Sequence, residues 1–119
     1  QIHVEDGSID LFARVHQGDE ICMMKGTVED LTQVLGRLYS LSCRGLSPDK
    51  IRAALLIYCA GCAGAVGSAL HDGLRTHLGP ALGAIPLLGM CTFGEQGHIP
   101  GLGNVHQDLS VSLLLIAEQ

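Results

Sequence analysis

Residues 52–97 constrain this chain more than any other stretch. Ala53-Ala54-Leu55-Leu56-Ile57-Tyr58 is an uninterrupted apolar run, the pattern of a strand buried on both faces. It empties into Cys59-Ala60-Gly61-Cys62, a CxxC at the start of a helix. A second apolar strand over residues 87–93 ends just before Gly94-Glu95-Gln96-Gly97. Two strands joined by a helical crossover bring their ends together, and such ends are where α/β sheets bind ligands.

The flanking chain supplies more strands and one clear helix. Ile9, Leu11, Ala13 and Val15 alternate with Ser8, Asp10, Phe12 and Arg14, which is the period of a half-buried strand. With the turn Gln17-Gly18-Asp19-Glu20 and the run Ile21-Cys22-Met23-Met24, it reads as a hairpin. Thr27 is an N-cap with Asp30 three residues on, close to a capping box, and Val28, Leu31, Val34, Leu35, Leu38 and Leu41 form one apolar stripe. Gly45 is the expected stop. Residues 61–78 read as a second helix ended by Gly79-Pro80, and residues 98–104 as a loop. A last strand over residues 109–116 has Leu109, Val111, Leu113 and Leu115 facing one way. The expected architecture is α+β, a mixed sheet of about five strands with two main helices on one face, in the order ββαβαβ(β).

Hydrophobic content of 47% against 16% charge places the chain among folded domains, with length for one core. A net charge of −5 and seven scattered Lys and Arg residues argue against a nucleic-acid partner. No apolar run approaches the roughly 20 residues of a membrane span. Five cysteines are an odd number without a disulfide framework, which favours a reducing, cytoplasmic setting. The absent initiator Met and the strands close to both ends lead us to expect residues 1–119 to be one domain from a longer chain.

Three chemistries compete at the strand ends. A CxxC at a strand-to-helix turn has the thioredoxin arrangement, in which the helix N-terminus acidifies the first thiol and the second resolves the mixed disulfide. Against it, Ala-Gly separates Cys59 from Cys62 and the strand order differs. A metal centre needs a fuller set of ligands: there is no second CxxC, and His71 and His77 point to different faces of a helix. No metal or other cofactor is expected. Glu95 follows a buried strand between glycines that permit close approach, so its carboxylate could hold an amine; a surface-turn acid is the plainer reading. Gly61, Gly64 and Gly67 admit either a ligand or a packed strand. No P-loop, dinucleotide fingerprint or nucleophile elbow is present.

Several of these segments together resemble the C-terminal part of a FIST domain. They are Tyr58-Cys59-Ala60-Gly61-Cys62, the run Leu88-Gly89-Met90-Cys91-Thr92-Phe93-Gly94-Glu95-Gln96-Gly97, and Asn104-Val105-His106 before an apolar strand. Ile9-Asp10-Leu11-Phe12-Ala13 and Met23-Met24-Lys25-Gly26-Thr27 extend the likeness to nearly the whole chain. Sixteen glycines and few aromatics fit a bacterial-type domain, and the resemblance implies a non-catalytic sensory module of signal transduction that binds a small molecule such as an amino acid. It also implies an N-terminal half and an output signalling domain as partners, and leaves a homo-oligomer open. Cys59, Gly61 and Cys62 would line one side of the pocket, with Thr92, Gly94 and Glu95 on the other and Asn104 and His106 closing it. The family often carries Arg where Cys62 stands here; if that Arg binds an acidic group, this chain binds a different ligand or none. A thiol-disulfide oxidoreductase using Cys59 and Cys62 is the alternative. A purely structural or docking domain is a third reading, and it expects a filled interior at the strand ends.

Overall fold

The computed structural model describes residues 2–11 and 14–118. Helix α1 spans Val28–Ser42 and starts as its sequence requires. The Thr27 hydroxyl accepts from the Asp30 amide at 3.1 Å, while the Asp30 carboxylate accepts from the Thr27 amide at 2.8 Å. This reciprocal box satisfies two of the amide groups that a helix start leaves orphaned. A 3-10 turn, Pro48–Lys50, leads into strand β1, Ile51–Cys59.

The crossover is not one helix. Helix α2, Ala60–Val66, stops where Gly67 takes a φ of 60°. Helix α3, Ala69–Gly73, continues through a π-helical turn, Leu74–Leu78, into helix α4, Gly79–Leu82. Pro80 therefore does not end the helical path. It occupies the first turn of α4, directly after the π-helical turn. Strand β2, Leu87–Thr92, follows.

Strands β1 and β2 pair in parallel, and strand β5, Val111–Ala117, pairs antiparallel on the other side of β1. Alternation then sorts the side chains. Ala54, Leu56 and Tyr58 face the helices with Leu113 and Val111 beside them, and close over Leu35, Cys62, Leu78 and Leu82. The Tyr58 hydroxyl donates to the Leu31 carbonyl at 2.9 Å and ties α1 to the sheet. Small residues set the helix spacing: a Cβ on Gly73 would stand 2.7 Å from the Thr32 Cβ, and one on Gly36 3.2 Å from the His77 carbonyl oxygen.

The α+β class and a mixed sheet covered by helices on one face are present, but the strands are distributed differently from the sequence expectation. Among the described residues the hairpin expected over residues 8–24 does not form. Only an isolated Ile2–Ile9 bridge appears there, and Ile21, Met23 and Met24 lie exposed outside any strand. Phe12 and Ala13 fall outside the described residues. A period-two pattern marks a strand face but names no partner edge, and no described edge pairs with this one. The hairpin comes later, from strands β3, Glu95–Ile99, and β4, Gly103–Gln107, where a loop was expected. Pro100 and Gly101 sit at the two central positions of its turn, closed by the Leu102 amide on the Ile99 carbonyl at 3.0 Å. With Gly101 at φ 88°, this is the Pro-Gly pattern of a type II turn. Nor is β1 buried on both faces. Its second face joins Leu88, Met90, Leu114 and Ile116, and Leu88 is 65% exposed.

Candidate binding cavity at the strand ends

Register brings Cys59, the last residue of β1, opposite Thr92, the last of β2. Just beyond them lies a cavity of about 250 Å³ lined by Cys59, Gly61, Phe93, Gly94, His106, Asp108 and Leu109. Its size is just below the roughly 300–1,000 Å³ of sites for drug-sized ligands. Two backbone positions shape it. Gly94 turns the chain from β2 into β3 at φ 104°, and a Cβ there would stand 2.9 Å from the His106 ring. Leu109 adopts φ 54°, a left-handed conformation that costs a branched residue about 1–2 kcal/mol. Its side chain lies over Gly61, where an added Cβ would meet the Leu109 Cδ2 at 3.6 Å.

The polar rim is ordered. The Gln96 side-chain amide nitrogen lies 3.0 Å from Nδ1 of the His106 ring, whose other nitrogen is Nε2. That nitrogen faces the Asp108 carboxylate at 3.4 Å. Glu95 is the first residue of β3 and is only 3% exposed. Its Oε1 accepts from the Thr92 hydroxyl at 2.7 Å, whereas Oε2 is buried without a hydrogen-bond partner among the described residues. An unpaired buried acceptor is costly.

Of the residues singled out in the sequence, Cys59, Gly61, Gly94 and His106 meet around this cavity. Thr92 and Glu95 adjoin it through their hydrogen bond and the neighbouring Phe93 and Gly94. Cys62 lines an adjacent cavity of about 150 Å³ with Asp30, Tyr58, Leu109 and Ser110. Asn104 does not join either. It is exposed on β4, and its Oδ1 lies 3.1 Å from Nδ1 of His98, its cross-strand partner. Phe93, Asp108 and Leu109 were not singled out. Phe93 and Leu109 read as strand residues, and nothing local shows that the chain after β4 folds back over Gly61. Gly64 and Gly67 meet nothing within 4 Å, so the close packing suggested by the glycine repeat is made instead by Gly36 and Gly73.

Burial pushes the Cys62 thiol up to about 11, with Cys59 beside it and the Glu95 charge adding to the rise. Burial also raises Tyr58. Cys62 is therefore held as the neutral thiol at neutral pH. Because the folded state holds this proton more tightly, the associated stability is fully present below the ordinary value of 9.0 and is lost as pH rises through about 11. Thermal unfolding from pH 8.5 to 11 should show a loss on the order of 2 kcal/mol, smaller in Cys62→Ala. Equal pH slopes in the two proteins would contradict the assignment.

Among the described residues, no group of three or more His, Cys, Asp or Glu side chains could hold a metal ion, and no helix is long and apolar enough to cross a membrane. The family model described as FIST C domain matches residues 1–98. No curated protein and no solved structure matches the chain. The cavity thus joins four residues inside the matched segment to His106, Asp108 and Leu109 beyond it.

Proposed function

The chain belongs to the FIST C domain family, sensory domains of signal transduction, and on that premise we propose that it binds a small molecule without transforming it. The cavity where parallel β1 and β2 end is the observation that carries this reading. Cys59, Gly61, Gly94 and His106 wall the ligand, while Thr92 and Glu95 brace the floor. Cys62 tunes the neighbouring recess, and Asn104 stiffens the hairpin rim through His98. A domain without a pocket would have a filled interior here.

We assign residues 1–119 to one cytoplasmic domain that works beside an N-terminal half and passes its signal to an output domain. The open sheet face bearing Leu88, Met90, Leu114 and Ile116 supports the need for a neighbour, since it exposes contiguous apolar surface. The thiol-disulfide alternative has two adjacent thiols in its favour, but Cys62 is held protonated and is a poor attacking or resolving group.

The test is a thermal-shift and calorimetric screen of the intact protein against a metabolite panel that includes amino acids. A saturable shift is expected, weakened at least tenfold in Gly61→Leu, whose side chain fills the cavity toward Leu109 while suiting the helix better than glycine. No shift with any member, or an undiminished shift in Gly61→Leu, defeats the proposal.

A further inference from the structure

The cavity's charge pattern says which class of molecule it takes. Its lining holds one acid, Asp108, and no Lys or Arg. The adjacent recess repeats the pattern with Asp30. Next to Gly94 in the chain, Glu95 adds a buried carboxylate whose Oε2 has no hydrogen-bond partner among the described residues and whose charge is felt at Cys62. His106 places its Nε2 3.4 Å from one Asp108 oxygen and leaves the other open to a ligand. The rest of the wall is apolar, and Phe93 presents an aromatic ring at the rim.

An anionic ligand entering this space would face the Asp108 carboxylate with no Lys or Arg in the lining to offset the repulsion. An ammonium group reverses every sign. Its three N–H donors suit the free Asp108 oxygen, a charge-assisted bond is about twice as strong as a neutral one, and an aromatic face attracts a cation. Resting on the binding function proposed above, we infer that this site selects a small cationic amine with a compact apolar body and rejects carboxylates. The selecting charge, Asp108, lies beyond the segment matched by the family model.

Three probes of one shape separate the possibilities: benzylamine, benzyl alcohol and benzoate, titrated calorimetrically into the intact protein at neutral pH. Benzylamine should bind at least tenfold more tightly than benzyl alcohol, benzoate should not bind, and Asp108→Asn should remove most of the preference for the amine. Should Asp108→Asn fail to fold, the ranking of the three probes on the unaltered protein still decides. Alcohol or benzoate binding as tightly as the amine, or an amine preference unchanged in a folded Asp108→Asn, overturns the charge assignment and leaves a binding cavity of another class. If no probe and no metabolite of the panel binds, the binding function itself falls.

Discussion

Gly94→Ala is expected to lower ligand affinity more than tenfold and to cost about 2–3 kcal/mol of stability. The backbone at Gly94 sits at φ 104°, outside the region an L side chain adopts without strain. The added methyl would also stand 2.9 Å from the His106 ring. If the ring moved away, it would give up the Gln96 bond and its approach to Asp108, so the polar rim would change even where the fold survived. Urea denaturation reads the first effect and calorimetry with a panel ligand the second. A variant as stable as the parent and binding equally well would show that the turn between β2 and β3 neither needs glycine nor shapes the site.

Leu35→Ala should be more damaging to the fold, by about 2–5 kcal/mol. Leu35 is fully buried in the middle of α1, against the face of the sheet that carries Leu56 and Tyr58. Truncation leaves a cavity that helices held by α1–sheet hydrogen bonds cannot easily close, because Tyr58 pins Leu31 one turn away. Leu41→Ala, on the same stripe but half exposed, should change stability by no more than about 0.5 kcal/mol. Equal losses at the two positions would mean that α1 does not lie as described. The pair tests tertiary placement, because both residues belong to one helical pattern in the sequence.

That contrast is general to this chain. Patterns within a few residues were readable: the Thr27 box, the apolar stripe of α1, and the strands now seen as β1 and β2. The Pro100-Gly101 turn was also there to be read, since two short strands flank it, but Gly and Pro so near together suggested a loop. The hairpin expected earlier had the right alternation and the wrong premise, that a strand pattern brings its own partner. The crossover failed as a single helix for a local reason: Gly67 adopts a positive φ and ends α2 before α3 begins.

By itself, the sequence determined α1, β1 and β2, and that glycines and an acid gather where two strands end. Those follow from steric preference, capping and periodicity, which act between near neighbours. Only the tertiary structure decided that Glu95 is buried, that Asn104 turns away to His98, and that His106, Asp108 and Leu109 return to close a cavity over Gly61. These are contacts between residues tens of positions apart, set by the register of β1 with β2 and β5 and by the strained turn at Leu109. The one acid in the cavity's lining, Asp108, comes from that return of the chain.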